Sequence, residues 1–324
     1  MFDFTILVAS GGFASAVAVT LDLLDTAAFL APRIGVATPT WRVLSLSDGP
    51  TQLSNGLSLN AKRLTRRTAP DASIWVVPGL ATQSTVSTDA RVLQSDALLA
   101  IKALKAQAGA GGVVAASCSA VFLLQAAGLL KDKKATTTWW LAPHLQSIEP
   151  RCSVDANRLV VCDGKVWTAG AAFAQTDLML QLLRARFGAG LADAVSRVLL
   201  IDGREAQAPY IVPTMLANGN ALIAKLSQQI EAALPQTPSV GEMAAALCIS
   251  ERTLTRRVRA ATGKSTSALI QFVRLKRARL LLETSRMSVE QVAEQVGYRD
   301  ATALRRLMRK VLAATPRQFR QINN

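Results

Sequence analysis

The sequence predicts two folding units in one chain. The first is an α/β unit with a doubly wound parallel sheet, and the second is an all-α unit that contains two helix-turn-helix motifs. Short apolar runs alternate with helical patterns through the first 200 residues. One helix-turn-helix pattern occurs twice near the C-terminus, where positive charge is also concentrated. A chain of 324 residues is long enough to bury two such cores.

The alternation in the first unit predicts each strand and helix in turn, since short apolar runs are typical of central strands in a parallel sheet. The predicted strands lie at 5–9, 33–37, 43–46, 73–77 and 112–116, with a polar hairpin or loop at 49–60 and a hairpin at 158–168. The predicted helices lie at 16–30, 89–108, 120–127, 170–187 and 191–200. In the helix at 89–108, Leu93 and Leu98 are expected to face inward.

A sharp turn is predicted where the strand at 112–116 meets the following helix. Such a strand-turn-helix holds one side chain at the carboxyl edge of the sheet, and here that residue is Cys118. Amides at a helix N-terminus can stabilise a thiolate, or bind a carboxylate or amide oxygen. Cys118 is therefore the first candidate functional residue of this unit.

The C-terminal repeat pairs residues 239–244 with 288–293 and, after one extra residue, Leu254 with Leu304. Each copy has the pattern of a short helix, a turn and a second helix, because apolar residues recur at spacings of three and four around a break. Gly297 permits one turn, and Ser250 and Asp300 are the predicted N-caps of the second helices. The positions expected to be exposed on those helices are Glu251, Arg252, Thr255, Arg256 and Arg259, then Ala301, Thr302, Ala303, Arg305, Arg306 and Arg309.

Between the copies, residues 265–283 are predicted to form one long amphipathic helix. At 1.5 Å per residue it would span roughly 28 Å, close to the ~34 Å between successive major-groove faces of DNA. Residues 236–324 hold 17 Lys and Arg against 6 Asp and Glu, whereas residues 1–235 hold 20 against 16. Phosphate binding requires such a concentration of positive charge. The alternative, a merely solvated charged face, would not require it.

Four stretches of the second unit resemble the DNA-binding domain of AraC-type transcriptional regulators: Ser250 to Arg257, Arg274 to Leu282, Gly297 to Asp300 and Thr315 to Arg320. The resemblance covers about the last ninety residues. It implies that the base-reading residues are Arg252, Thr255, Arg256, Thr302, Ala303 and Arg306. Arg305 and Lys264 are expected to be further DNA contacts, and Lys264, Arg274, Arg277 and Arg317 are expected to hold mainly phosphates.

The first unit resembles the ThiJ/PfpI, class I glutamine amidotransferase-like domain, which has a flavodoxin-like fold. The motifs are Asp71 to Gly79, Ala115 to Ala120, Leu124 to Leu130, Lys134 to Trp139 and Val166 to Gly170. Joined to an AraC-type domain, this architecture resembles that of GlxA-like regulators. We therefore expect a small effector at the sheet edge, bound by Cys118, Ser117, Ser119, Pro78, Gly79 and Thr138. The amidotransferase-like ancestry favours a nitrogenous or amino-acid-like metabolite.

Four roles for Cys118 are compatible with the sequence. They are a packing residue at a tight turn, a residue beneath a bound ligand, a redox sensor and a hydrolytic nucleophile. A nucleophilic thiol needs a base nearby. In the related hydrolases a histidine commonly precedes the first tryptophan, where this chain has Thr138, and the single histidine, His144, lies six residues further on. Catalysis is therefore not expected, and a cysteine-dependent amidase or hydrolase remains the alternative.

Composition limits the other classes. The four cysteines lack metal-ligand spacing, so neither a metal site nor a cofactor is expected. The apolar N-terminus has no basic residue before Arg33, which argues against a signal peptide. The uncharged stretch 111–130 has the small and polar residues of a buried strand followed by a helix. The chain is therefore expected in the cytoplasm and not in a membrane.

Together these patterns predict a sequence-specific transcriptional regulator, with an activator favoured. The expected boundaries are 1–202 for the sensor domain, 203–217 for a linker and 218–324 for the DNA-binding domain. The expected partners are promoter DNA, a small-molecule effector, RNA polymerase and a second copy of the chain.

Overall fold

The computed structural model describes residues 2–201, 221–262, 265–312 and 315–320. Contacts between Cα atoms divide the chain into two compact units, Met1–Gln207 and Ala208–Asn324. The expected linker at 203–217 lies outside the described residues. Each unit is described by itself.

The first unit is built on a seven-stranded sheet, accompanied by two small two-stranded sheets. Its central strands are apolar on both faces and fully buried, as expected when helices cover both sides of a sheet. The strands are β1 (Phe4–Val8), β2 (Trp41–Ser45), β3 (Thr51–Gln52), β4 (Ser58–Leu59), β5 (Lys62–Arg63), β6 (Ile74–Val77), β7 (Val114–Ser117), β8 (Lys134–Ala135), β9 (Ser153–Val154), β10 (Val160–Asp163) and β11 (Val166–Ala169).

The strand order in the large sheet is β10-β11-β7-β6-β1-β2-β5. Every neighbouring pair is parallel except β10 and β11, which form an antiparallel hairpin at one edge. In register, Ile6 of β1 pairs with Val43 on one side and Val76 on the other. The predicted doubly wound sheet is confirmed, with a mixed edge.

Helices cover both faces of this sheet. Along β1, Ile6 faces a core shared with Leu24 and Leu182, whereas Leu7 faces a second core shared with Leu104 and Phe122. This alternation follows from the two-residue period of a strand. The helices of the first unit are α1 (Ala14–Leu30), α2 (Thr85–Val92), α3 (Ser95–Gly109), α4 (Val121–Ala126), α5 (Ala142–Ile148), α6 (Ala174–Phe187) and α7 (Ala189–Val198).

Helix α1, with the short turn after it, is long and apolar enough to cross a membrane by length and composition. In this structure its apolar face packs into the core of the first unit, where Leu23 and Leu24 are fully buried. Length and composition alone do not separate a membrane span from a core helix. The packing of α1 is that of a core helix.

Two expectations for the first unit are wrong. The predicted strand at 33–37 is instead a 3-10 turn, Ala31–Ile34, which ends at Gly35 with φ of 71°. Pro32 in that turn has no N–H to donate to a sheet. The predicted single helix at 89–108 is two helices, α2 and α3, and the supposedly inward Leu93 and Leu98 are 73% and 46% exposed.

In the described residues of the second unit, the regular elements are all helices, joined by turns. Its first core joins Ile223 and Ile230 to Leu254 and Val258, so the helix preceding the repeat packs against the first copy. The helices are α8 (Ala221–Ala232), α9 (Val240–Ala246), α10 (Glu251–Thr262), α11 (Thr266–Thr284), α12 (Val289–Gln295), α13 (Ala301–Leu312) and α14 (Pro316–Arg320).

The two copies of the repeat begin in the same way. Ser239 caps α9 and forms a capping box with Glu242, and Ser288 caps α12 and forms the same box with Gln291. Each box satisfies amides that have no partner within the helix. The two predicted helix-turn-helix units are confirmed, and the first helix of each begins with the same capping box.

The turns inside the two units also correspond. Cys248 and Gly297 occupy matching positions, and both have left-handed backbones, with φ of 53° and 81°. In each turn the following amide, of Ile249 or Tyr298, donates to a carbonyl five residues earlier. Glycine adopts this conformation freely, whereas a side chain there costs on the order of 1 kcal/mol.

Candidate functional site

In the first helix-turn-helix unit, α10 presents a charged face. The Ser250 hydroxyl accepts a hydrogen bond from the Thr253 amide at 3.2 Å, so the predicted cap is present. Leu254 and Val258 are fully buried and fix which side of α10 faces the core. The opposite side exposes Arg252, Thr255, Arg256 and Arg259, whose spacing of three and four residues places them on one face of the helix.

In the second unit, α13 repeats this arrangement. The Asp300 carboxylate accepts from the Ala303 amide at 2.8 Å, and Leu304 and Met308 are fully buried. Thr302 and Arg306 are exposed, and Ala303 is half-buried. The expectation that Ala301 is exposed is wrong: it is 7% exposed, because the first turn of α13 packs against the unit.

The basic side chains on these helices differ in their partners. Arg305 forms an ion pair with Glu290 of α12, with Nη2 and Oε1 2.7 Å apart. The backbone amide of Glu290 and the Arg305 guanidinium hold the pKa of that carboxyl below its usual range. Within the described part of the chain, Arg252, Arg256 and Arg306 have no ion pair. These three arginines are therefore available to a ligand, whereas Arg305 is already engaged.

Helix α11 has 19 residues and connects the two helix-turn-helix units, as predicted. Its Arg274 donates through Nη2 to the Thr237 hydroxyl and lies over the Tyr298 ring, with Cζ 5.5 Å from the ring centroid. Arg274 therefore links the segment before the first unit to the turn of the second, rather than being free for phosphate. Arg277 and Arg317 are exposed. Lys264 lies outside the described residues.

The sharp turn of the first unit places Cys118 directly after β7, with φ of 53°. Its amide donates to Gly170 O at 2.7 Å, and the Thr137 hydroxyl donates to its carbonyl oxygen at 2.7 Å. The Ser119 hydroxyl donates to Leu80 O, also at 2.7 Å. Bonds from three different segments thus hold the turn in place.

The six predicted ligand residues surround this turn and are all buried. Gly79 lies against Cys118 so closely that a Cβ added to it would be 2.9 Å from Cys118 Cβ and 3.4 Å from Ser117 Oγ. The hydroxyls of Ser117 and Thr138 are buried without a hydrogen-bond partner in the described structure. The structure therefore brings the set together, but as a closed cluster.

The Cys118 thiol is not an activated nucleophile. Burial raises its pKa to about 11, although the Ser119 amide and the nearby hydroxyls of Ser119 and Thr138 act in the opposite direction. His144 Nε2 lies 2.8 Å from the Asp89 carboxylate, and its ring stacks on Phe122 at 5.6 Å between centroids. The only histidine of the chain is thus engaged with Asp89 and Phe122.

Two features escaped the sequence analysis. One is the Arg305–Glu290 ion pair, which the repeat could not have suggested, because the first copy has uncharged Thr255 and Gly241 at the matching positions. The other is an open cleft of about 800 Å³ at the carboxyl ends of β1, β2 and β5. Its residues come from distant parts of the sequence, so no local pattern indicates it.

The fold and site define a class of protein in which an α/β unit with a buried cysteine turn is joined to a helical unit with two arginine-bearing helix-turn-helix motifs. The DJ-1/PfpI family profile matches residues 19–185, and a helix-turn-helix domain profile matches residues 243–322. The chain belongs to the DJ-1/PfpI family, with an AraC-type helix-turn-helix unit attached.

Transcriptional regulators are among the proteins that this chain resembles. The HTH-type transcriptional regulator GbdR of Pseudomonas aeruginosa is 26% identical over 87% of this chain and 74% of its own length. The HTH-type transcriptional regulator GlxA of Rhizobium meliloti is 28% identical over 63% of each chain. The crystal structure of an AraC family transcriptional regulator from Pseudomonas putida superimposes with a TM-score of 0.52 at 22% identity, covering 61% of this chain and all of its own. That superposition supports the α/β fold.

Proposed function

We propose that this protein is a sequence-specific, DNA-binding transcriptional regulator whose α/β unit responds to a small metabolite without catalysing a reaction. It acts in the cytoplasm as a homodimer on promoter DNA, and an activator that contacts RNA polymerase is favoured. Homology to HTH-type transcriptional regulators over most of the chain supports the DNA-binding role.

One observation carries the proposal: each helix-turn-helix unit exposes unpaired arginines on its second helix. Arg252 and Arg256 on α10, and Arg306 on α13, have no ion pair in the described structure, and the buried leucines opposite them fix the face they occupy. Residues near the N-terminus of a recognition helix are the ones that reach base edges. Together with Thr255, Thr302 and Ala303, these arginines form the proposed reading surface.

Arginine suits this role because its planar fork can bond to guanine O6 and N7 at once, for roughly 1–3 kcal/mol of discrimination. Arg256 and Arg306 are the proposed principal readers. Arg305 can contact DNA if its ion pair with Glu290 breaks. If the pair stays intact, Arg305 influences DNA only through the electrostatic field at the surface. The other exposed cations, such as Arg277, set affinity through phosphates and not sequence choice.

The chemistry of the turn at Cys118 argues against catalysis. A thiol with pKa about 11 is protonated at neutral pH, and a thiolate is the form that attacks carbonyl carbon. The side chains that act on the Cys118 thiol are those of Ser119 and Thr138, whereas His144, the residue that a hydrolase would need as base, contacts Asp89 and Phe122. The alternative of a cysteine-dependent amidase therefore has no support from the site geometry.

The test is selection of genomic fragments by the purified full-length protein at fixed physiological salt. We expect one enriched motif with two sub-sites about 10 bp apart. Arg306→Ala should relax base preference in one sub-site. Its matched control, Lys310→Ala on the last turn of the same helix, should weaken binding to all sequences alike and lower the salt dependence.

Enrichment of no motif, with and without metabolite extract, would refute sequence-specific regulation. Equal effects of Arg306→Ala and Lys310→Ala on base preference would refute the assignment of Arg306 as a reader. Hydrolysis of an amide or peptide that is lost in Cys118→Ala would revive the enzyme alternative.

A further inference from the structure

The cleft at the carboxyl edge of the sheet has the size and position of a ligand site. Its volume of about 800 Å³ lies within the ~300–1,000 Å³ typical of small-molecule pockets. It opens between the chain segments that follow β1, β2 and β5 and the N-terminal turn of α3. In α/β sheets, ligands bind outside the carboxyl ends of the strands.

This cleft is separate from the turn at Cys118. The segments after β1 and β6 are joined to each other: the Phe13 amide donates to Gly79 O at 2.8 Å, and the Ala81 amide donates to Gly11 O at 3.0 Å. These bonds fill the point between β1 and β6, where the strand order reverses and a crevice would otherwise form. The open space lies on the other side of β1, next to β2, and it shares no lining residue with the cluster at Cys118.

The floor and wall of the cleft are well defined. Leu46 and Leu64 are almost fully buried beneath it, and half-buried Leu99 of α3 gives the lining a partly exposed apolar side chain. On the wall, the hydroxyls of Ser10 and Ser47 are 2.7 Å apart and form a hydrogen bond. The buried Arg91 donates to Ser10 O at 3.0 Å and also forms an ion pair with Asp96, which fixes the β1 side of the cleft to the start of α3.

The cleft is lined by two acidic and two basic residues, and one of these four has no ion pair within the described residues. Asp48 is paired with Arg63, and Asp96 is paired with Arg91, which does not line the cleft. Arg66 lines the cleft, is exposed and has no ion pair or hydrogen bond within the described residues. A planar guanidinium binds a carboxylate through two parallel hydrogen bonds, and this is the strongest contact that the lining can offer to an anion.

We propose that this cleft binds a small monocarboxylate, with its carboxylate on Arg66 and its apolar part against Leu99. The claim that this ligand is the effector of a regulator rests on the proposed function, whereas the claim that the cleft binds it does not. The hydroxyl pair of Ser10 and Ser47 offers a further polar contact at the wall. The cleft, and not the closed cluster at Cys118, is then where the α/β unit meets its metabolite.

The experiment is calorimetric titration of the full-length protein with sodium hexanoate, and with hexanamide and hexylamine as matched neutral and cationic probes. For so small a ligand, binding in about the millimolar range is expected. Hexanoate should bind at least roughly tenfold more tightly than hexanamide, and hexylamine should bind more weakly still. Acetate should bind more weakly than hexanoate, because it is too short to cover Leu99.

The variants are Arg66→Gln and, as control, Arg67→Gln, its exposed neighbour that does not line the cleft. Arg66→Gln should weaken hexanoate binding by roughly tenfold and bring it near that of hexanamide, whereas Arg67→Gln should leave it unchanged. Both changes are at exposed positions, so the variants should fold.

Three results would overturn the proposal: no saturable hexanoate binding, equal binding of hexanamide, or unchanged binding in Arg66→Gln. Loss of hexanoate binding in Cys118→Ala with retention in Arg66→Gln would place the site at the turn instead. Failure of the regulator proposal is distinguishable, because a protein that selects no DNA motif could still bind hexanoate through Arg66.

Discussion

Substitution of Gly79 by Ala tests how tightly the segment after β6 is packed against Cys118. The added Cβ would lie 2.9 Å from Cys118 Cβ, 3.4 Å from Ser117 Oγ and 3.7 Å from Phe13 Cδ2. The first distance is shorter than carbon atoms tolerate, and Cys118 is held by backbone bonds to Gly170 and from Thr137. Relief therefore requires movement of the backbone and not of a flexible side chain.

Overpacking of this kind costs about 1–3 kcal/mol. For a unit of this size, an m-value of roughly 3 kcal/mol/M in urea converts that cost into a midpoint lower by about 0.3–1 M. The control is Gly109→Ala at the end of α3, where an added Cβ meets no atom within 4 Å. There the same substitution should be neutral or should stabilise by up to about 1 kcal/mol, because alanine loses less backbone entropy than glycine in a helix.

Tryptophan fluorescence is the assay, because all five tryptophans of the chain lie in the first unit. They are Trp41, Trp75, Trp139, Trp140 and Trp167. Urea unfolding of the full-length protein followed in this way reports the first unit alone. The two variants can therefore be compared without removing the helical unit.

A double-mutant cycle makes the reasoning refutable at the contact itself. Cys118→Gly removes the Cβ that the new methyl group meets, and it frees a backbone whose φ is 53°. The cost of Gly79→Ala should fall by about 1 kcal/mol in the Cys118→Gly background. An unchanged cost there, or a midpoint for Gly79→Ala no lower than that of the wild type, would show that Cys118 does not limit the space at Gly79.

Two further predictions concern the cysteines and the helical unit. At pH 8, iodoacetamide should label exposed Cys162, and it should label Cys118 only after urea unfolds the first unit. Cys118 is buried and, with a pKa of about 11, stays protonated as the pH rises from 7 to 9. Mass spectrometry identifies the labelled cysteines, and labelling of Cys118 in the folded protein would contradict the prediction. Arg274→Ala should weaken binding to DNA with both sub-sites by roughly three- to tenfold while sparing DNA with one, because its bonds to Thr237 and the Tyr298 ring fix one unit relative to the other. Fluorescence anisotropy measures the affinity for each of the two DNAs, with Arg277→Ala as control. Equal losses of affinity for both DNAs would contradict the linking role of Arg274.

The features of the helical unit that could be predicted from sequence are those that depend on near neighbours. The capping boxes at Ser239 and Ser288 need only a partner three residues on, and the left-handed turn at Gly297 needs only a glycine. The N-cap at Asp300 is equally local. Exposure of Ala301 was mispredicted, because its burial depends on how α13 packs, which helical spacing alone does not determine.

In the α/β unit the central strands were predictable, since burial on both faces requires continuous apolar runs. The break between α2 and α3 was not, because it depends on the buried Arg91, whose partners include Ser10, 81 residues earlier. The cleft also depends on segments that are distant in the sequence, because Ser10, Ser47 and Arg66 follow three different strands of the sheet. Sequence patterns therefore directed attention to Cys118, and the open space was visible only in three dimensions.

The backbone at Cys118 does not by itself indicate a catalytic cysteine. Cys248 has the same φ of 53°, yet it lies in the turn of a helix-turn-helix unit, where Gly297 occupies the matching position of the second copy. A left-handed residue is what each of these sharp turns requires, whatever its side chain. A nucleophile needs in addition a lowered pKa and a base within reach. Burial raises the pKa of the Cys118 thiol, and the side chains that act on it are those of Ser119 and Thr138, whereas His144 contacts Asp89 and Phe122. The left-handed turn therefore follows from the geometry of the fold, and catalysis at Cys118 would need groups beyond it.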